Sequence, residues 1–74
     1  MDFKDRLKDL RLSNNLTQIN VSSQIGLSER NYQRLESGSS KPKFETIIKL
    51  ADYFGVSTDY LLCRTNNPKI LKWY

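Results

Sequence analysis

The chain has 74 residues, 38% hydrophobic and 27% charged, a composition typical of one small folded domain and not of a disordered segment. Twelve basic residues against eight acidic ones give a net charge of +4, which suits a polyanionic partner but is also common in proteins that have none. Histidine, the commonest general base and metal ligand, is absent, and no apolar run approaches the roughly 20 residues of a membrane span.

Apolar residues recur at helical spacing along the chain and predict five short helices with almost no strand. In the first helix, Phe3, Leu7 and Leu10 occupy positions i, i+4 and i+7, and Asp2 precedes them as a predicted N-cap. The polar run 13–15 is expected to end this helix.

The second helix is predicted to begin after Thr17, with Val21 and Ile25 facing inward. Asn20 stands where a glutamate completes the usual capping box, so a weaker box is expected. Gly26 supplies the left-handed backbone that ends this helix in a tight turn.

The third helix is predicted to run from its N-cap, Ser28, to about Ser37, with Gly38 just beyond its end. Tyr32 and Leu35 fall on one side of it. The remaining sides carry polar and charged groups: Glu29, Arg30, Asn31, Gln33 and Arg34. Most such helix faces are only solvated, but these groups match base edges, since arginine fits guanine, an amide fits adenine and glutamate fits cytosine. The pattern therefore predicts a helix that enters a DNA major groove.

A fourth helix is predicted from an apolar core stripe that ends at Gly55: Phe44, Ile47, Leu50, Ala51 and Phe54. Ser57 is expected to cap a fifth helix that runs from Thr58 to about Cys63. From these elements, we predict one domain formed by residues 1–64 and a C-terminal tail formed by residues 65–74.

Apolar side chains are concentrated at the end of the tail: Ile70, Leu71, Trp73 and Tyr74. Three alternatives stay open for them, namely burial against the domain, burial against a second subunit, or the start of a further segment. An exposed patch of this kind is unusual in a free monomer, so burial is favoured.

Backbone contacts with a nucleic acid are predicted at two places. Thr17 and Gln18 begin the second helix, whose N-terminal N–H groups favour anions. Lys41 and Lys43 follow the third helix, where their charges are expected to bind the same backbone strand.

Residues for catalysis or metal binding are not found in the sequence. Paired carboxylates, a phosphate-binding glycine loop and a metal-ligand cluster are all absent. The single cysteine, Cys63, excludes an intrachain disulfide and favours a reducing, cytoplasmic location. We therefore expect neither an enzyme nor a cofactor, metal, membrane or small-molecule substrate.

Short elements over most of the chain match the pattern of a known family: Leu16-Thr17-Gln18, Gly26-Leu27-Ser28, Leu35-Glu36-Ser37-Gly38, Pro42, Glu45-Thr46, Leu50-Ala51, and Gly55-Val56-Ser57 through to Leu61-Leu62. With these elements, the chain resembles the Cro/repressor-type helix-turn-helix domain, the XRE family. The resemblance covers roughly residues 3–62 in uninterrupted register.

The resemblance implies an all-α, compact five-helix bundle of the lambda-repressor-like type, with helices 2 and 3 forming the helix-turn-helix and the third helix in the major groove. Four positions match the base-contacting places of the family: Glu29, Arg30, Asn31 and Arg34. Contacts with the DNA backbone are expected from Thr17, Gln18, Ser23, Gln33, Ser39, Lys41 and Lys43. Arg11 and Glu36 match a structural ion pair. The implied partners are a palindromic double-stranded operator and a second copy of the chain.

The chain departs from the family pattern at several positions. Ser22 replaces an alanine and is expected to bond a carbonyl one turn back, whereas Ile19 replaces an acidic residue and is expected to be exposed. Tyr32 is expected in the core with its hydroxyl at the edge, with a phosphate contact as the alternative. Cys63 stands where many relatives have glycine and is interpreted as inert.

The pattern as a whole predicts a sequence-specific, DNA-binding transcriptional regulator resembling a phage or mobile-element repressor. The alternative is a protein-interaction module or antitoxin that keeps this fold, a hypothesis favoured by Glu29 on the polar face and by the modest net charge.

Overall fold

The computed structural model describes residues 1–70, which form five α-helices without a strand: α1 (Phe3–Ser13), α2 (Gln18–Ile25), α3 (Glu29–Ser37), α4 (Phe44–Phe54) and α5 (Thr58–Leu61). The all-helical prediction is confirmed. None of these helices is long and apolar enough to cross a membrane. Burial was expected for four tail residues: Ile70 is 48% exposed in the single chain, and Leu71, Trp73 and Tyr74 lie outside the described part of the chain.

Local capping explains where four of the helices begin. The side chains of Asp2, Thr17, Ser28 and Ser57 each accept a hydrogen bond from the backbone N–H three residues later. The capping box predicted for α2 is present, because Asn20 Oδ1 also accepts from the Thr17 N–H at 3.0 Å. These bonds satisfy N–H groups that a helix start otherwise leaves unpaired.

The turn between α2 and α3 depends on Gly26. Its φ of +75° lies in the left-handed region, and the following N–H, that of Leu27, donates to Ser22 O at 2.9 Å. Only three residues, 26–28, separate the two helices. This short connection fixes the orientation of α3 relative to α2.

The core lies where the five helices meet. Helix α2 packs against α3 and α4, whereas α1 packs against α3 and α5. The buried apolar residues are Leu7, Val21, Ile25, Tyr32, Leu35, Leu50, Ala51, Val56 and Leu61. Helix α1 also contributes Arg6, whose guanidinium lies 3.9 Å from the centre of the Tyr60 ring and joins α1 to α5. The core therefore holds α3 by one side only.

The predicted apolar stripe of α4 was wrong at Phe44, which is 77% exposed. Phe44 lies on the same side of α4 as the buried Ala51. It is the first residue of the helix, however, and lies almost two turns before Ala51. Helical phase indicates which side of a helix faces the core, but it does not indicate how far the neighbouring helices extend along it.

The predicted end of α5 was also wrong. The helix stops at Leu61 instead of about Cys63, because Leu62 has left helical geometry and Cys63 adopts a left-handed φ of +64°. Beyond it, the Pro68 carbonyl accepts a hydrogen bond from the Ser57 N–H at 3.0 Å. The first part of the predicted tail therefore contacts the start of α5.

Candidate nucleic-acid interface

Helix α3 presents a polar surface because its apolar side chains are all on the core side. Tyr32 and Leu35 are buried. The residues predicted to contact bases or backbone from this helix are all exposed: Glu29, Arg30, Asn31, Gln33 and Arg34. The sequence pattern thus corresponds to a helix packed on one side and open on the other.

Part of this surface continues onto the loop between α3 and α4. Asn31 and Arg34 of α3 line one shallow depression together with Ser40, Lys41 and Lys43. Two of the predicted base-contacting residues therefore lie beside two predicted backbone-contacting lysines. Three positive charges border this depression, an arrangement that attracts a polyanion.

Hydrogen bonds hold the beginning of the loop against the last turn of α3. The backbone N–H groups of Ser39 and Ser40 both donate to the Arg34 carbonyl, at 3.0 and 3.3 Å. The Ser37 and Ser39 hydroxyls are 2.8 Å apart and hydrogen-bonded. The Ser39 hydroxyl, expected to contact DNA backbone, is therefore engaged with the last residue of α3 in the free protein.

The predicted ion pair is present in the structure and joins three elements. Arg11 Nε donates to Glu36 Oε2 at 2.6 Å, and its Nη2 donates to Glu36 Oε1 at 3.0 Å. The third nitrogen, Nη1, donates to the Leu16 carbonyl at 3.1 Å. Both side chains are nearly buried, with exposed fractions of 11% and 5%. The pair therefore ties α1 to α3 and to the segment that precedes α2.

Charge and burial around this pair shift three pKa values. Burial raises the pKa of Glu36, but the hydrogen bond from Arg11, with further hydrogen bonds, outweighs it, and the net pKa is lowered. The carboxylate of Glu36 in turn raises the pKa of Arg11. Burial raises the pKa of Tyr32 strongly, and the adjacent Glu36 raises it further. The three groups are therefore a cation, an anion and a neutral phenol at neutral pH.

Tyr32 lies in the core as predicted, but the expected place of its hydroxyl was wrong. The residue is fully buried, and its hydroxyl is buried without a hydrogen-bond partner among the described residues. Glu36 and Arg11 both influence the pKa of Tyr32, so its hydroxyl lies beside the ion pair and not at the edge. The alternative of a phosphate contact from Tyr32 is excluded by this burial.

The N-terminus of α2 lies next to the ion pair. Gln18 Nε2 donates to Glu36 Oε1 at 3.3 Å, which uses one of its two amide N–H groups. The Thr17 hydroxyl is already engaged as the helix cap. The backbone N–H groups of Gln18 and Ile19 have no hydrogen-bond acceptor within residues 1–70. Free donors at a helix start are suited to an anion.

Ser23 is not brought together with the other predicted contacts. Its hydroxyl donates to the Asn20 carbonyl at 3.1 Å, and it lines a separate depression with Lys49 and Tyr53 of α4. Nearby on the same helix, Ser22 bonds the Ile19 carbonyl at 3.1 Å, in agreement with the prediction. Ile19 is 58% exposed, also as expected.

One cation beside α3 was not predicted. Lys4 of α1 lies against Gly38, the residue that follows α3. The two positions are 34 residues apart, so no local spacing in the sequence indicates that they meet.

Within residues 1–70, no three His, Cys, Asp or Glu side chains lie close enough together to hold a metal ion. Cys63 is partly buried and is a free thiol.

The pattern of the helix-turn-helix family matches residues 7–61. The chain belongs to this family, in its Cro/repressor-type branch. This agrees with the resemblance found in the sequence and with the α2–turn–α3 arrangement of the structure.

Several curated relatives carry regulatory names. The chain is 34% identical over 70 residues to an uncharacterized HTH-type transcriptional regulator, YqaE of Bacillus subtilis, covering 95% of this chain and 60% of the relative. It is 38% identical over 64 residues to the cryptic phage CTXphi transcriptional repressor RstR of Vibrio cholerae, covering 86% and 57%. The chain thus spans about 60% of the length of these relatives.

Solved structures share the fold. The P22 c2 repressor protein in complex with a synthetic operator matches with a TM-score of 0.79 at 22% identity, covering 84% of this chain and 94% of that one. A transcriptional regulator from Listeria innocua matches with a TM-score of 0.78 at 25% identity, covering 97% and 63%. The prediction of a lambda-repressor-like bundle is confirmed.

Proposed function

We propose that this chain is a sequence-specific, DNA-binding transcriptional regulator of the phage or mobile-element repressor kind, which acts in the cytoplasm and is not an enzyme. The observation that carries the proposal is the depression in which Arg34 of α3 meets Lys41 and Lys43 of the following loop. It combines a group that recognises a base edge with groups that neutralise phosphates. The regulatory and repressor names of the relatives support the same function.

In the proposed complex, α3 lies in the major groove and α2 crosses the DNA backbone. Arg30 and Arg34 donate to guanine O6 and N7, while Glu29 and Asn31 discriminate at neighbouring bases. Each of these four side chains is exposed on the free protein, so no rearrangement of the core is needed to reach DNA.

Phosphate contacts set the position of α3 along the groove. The free N–H groups at the start of α2 and the second amide N–H of Gln18 bind one phosphate. Lys41 and Lys43 bind the strand near the other end of α3. The Arg11–Glu36 pair acts structurally, since it fixes Gln18 and α3 relative to each other.

We further propose that two copies bind a palindromic operator. A single domain of this size offers few cations near α3, so its affinity at physiological salt is expected to be low. Two copies related by a two-fold axis double these contacts and place two α3 helices about one helical turn apart.

Selection from a pool of random duplexes tests this function. The protein is incubated with the pool at about 150 mM salt, and bound duplexes are sequenced, because phosphate contacts alone give weak, unspecific binding at this salt. Enrichment of a palindrome is expected. A control with both Arg30→Ala and Arg34→Ala should lose the enrichment while keeping the circular dichroism of the wild type.

A protein-interaction module is the second candidate, and the exposure of Ile19 favours it. Under this function, a folded wild type would enrich no duplex, and Ile19→Ser would abolish capture of a partner protein. If a duplex is enriched equally by the wild type and by Ile19→Ser, the interaction module is excluded.

A further inference from the structure

The side chain of Lys4 crosses the end of α3. A Cβ atom at Gly38 would lie 3.0 Å from Lys4 Cδ and 3.6 Å from its Nζ, so the absence of a side chain at Gly38 leaves room for this lysine. Gly38 also needs its left-handed φ of +82° to end α3. The same glycine thus ends the helix and allows a cation from α1 to approach it.

Lys4 lies on a surface that is continuous with the candidate interface. It lines a depression together with Asp2, Gly38, Ser40 and Lys41, in which the two lysines outnumber the single carboxylate. Ser40 and Lys41 also border the neighbouring depression that contains Arg34 and Lys43. The positive surface around the loop therefore extends beyond it onto the first turns of α1.

The ammonium group of Lys4 is available for a ligand. Within residues 1–70, the ion pairs are Arg11 with Glu36 and Arg64 with Asp59, and neither involves Lys4. Lys4 is exposed to solvent. The C-terminal end of α3 carries a partial negative charge that attracts a cation, which holds Lys4 near this place without consuming its hydrogen-bond donors.

We propose that Lys4 is a phosphate-contacting residue that extends the DNA interface from α3 and its loop onto α1. The proposal rests on the function proposed above and assigns a role to a residue that the helix-turn-helix pattern does not include. Lys4 contributes charge to the affinity for any duplex and no base preference, because a flexible ammonium group neutralises a phosphate without reading a base edge.

The salt dependence of DNA binding measures this contact directly. The logarithm of the association constant falls with the logarithm of salt concentration by about 0.9 for each phosphate that the protein neutralises. Binding of wild type, Lys4→Gln and Lys4→Arg to one selected duplex is measured by fluorescence anisotropy between about 50 and 200 mM salt, the range over which such contacts change the affinity strongly. We expect Lys4→Gln to flatten the slope by about 0.9 for each bound copy, and Lys4→Arg to restore it.

Lys69→Gln is the matched control, because Lys69 lies on a surface formed with α4 and α5 that shares no residue with either depression beside α3. Lys8 is unsuitable for this purpose, since it lies one turn after Lys4 on the same side of α1. The slope of Lys69→Gln should equal that of the wild type.

A structural role of Lys4 at the end of α3 gives a different result. In that case Lys4→Gln lowers the midpoint of thermal unfolding but leaves the salt slope unchanged, and the proposal is overturned. If the salt slope of the wild type is steep and that of Lys4→Gln is the same, only the Lys4 contact is rejected and the proposed function stands. A wild type that binds no duplex rejects the proposed function and the Lys4 contact with it.

Discussion

Arg34 and Lys41 border the same depression but differ in what they can recognise. Arginine presents a planar fork that fits guanine O6 and N7, whereas lysine is a flexible point charge. We expect Arg34→Ala to lose about 1–3 kcal/mol on the preferred site and to relax the preference at one base pair. We expect Lys41→Ala to weaken binding to all duplexes alike. Affinities for a panel of single-base variants distinguish the two, and identical profiles would contradict this division.

Glu36 makes the stability of the fold depend on pH. Its pKa is lowered in the folded protein, where burial is outweighed by the hydrogen bonds it accepts, chiefly from Arg11. A group with a lowered pKa stabilises the fold above its unfolded pKa, which is about 4.3 for glutamate, and the stabilisation is lost as pH falls through the folded pKa.

We therefore expect Glu36→Gln to cost about 3–5 kcal/mol at pH 7, because it leaves the Arg11 charge buried and unpaired. The difference from wild type should shrink as pH falls below about 4. Urea unfolding of wild type and Glu36→Gln, from pH 7 to below about pH 4, measures this difference in the free energy of unfolding. Glu45→Gln, on the exposed surface of α4, is the control. A difference that stays constant with pH would show that Glu36 is not ionised in the folded state.

Helix caps could be predicted from the sequence, whereas two features that depend on neighbouring helices could not. The caps Thr17 and Ser28 act on N–H groups three residues away, so their effect is visible in any short stretch of sequence. The exposure of Phe44 and the contact of Lys4 with Gly38 depend on where other helices end in space. The exposure of the candidate interface residues on α3 was predictable for the same local reason, because their positions around the helix differ from that of the buried Tyr32.

The end of α5 shows how one residue limits an element. Cys63 adopts φ of +64°, a left-handed conformation that costs a side-chain-bearing residue about 1–2 kcal/mol and costs glycine almost nothing. We expect Cys63→Gly to stabilise the fold by about 0.5–1 kcal/mol, since the extra freedom of glycine in the unfolded chain offsets part of the gain.

Chemical unfolding of wild type, Cys63→Gly and Cys63→Ala measures this effect. Cys63→Ala removes the thiol but keeps the Cβ atom that makes the left-handed conformation costly, so it should give no gain. If alanine stabilises as much as glycine, the thiol and not the backbone is the source of strain at the end of α5.

The small size of the candidate interface is the reason for proposing that two copies bind one operator. In the proposed complex, Lys41 and Lys43, with the start of α2, would give a single domain only a few phosphate contacts. With on the order of 8 phosphates neutralised by two copies, the salt slope is expected near −7, against about half that value for one copy. A slope this steep on the selected palindrome would support two bound copies.

Spacing of the half-sites tests the two-fold arrangement. Two α3 helices of a symmetric pair reach one face of the duplex only if the half-sites lie about 10–10.5 base pairs apart, centre to centre. Inserting about 5 base pairs, half a helical turn, moves one half-site to the opposite face, so we expect the affinity to fall to that of a single half-site. Adding about 10 base pairs outside the palindrome leaves the spacing of the half-sites unchanged and is the matched control for added length. Equal affinity for all three duplexes would mean that each copy binds independently, and the operator would then be a pair of separate sites.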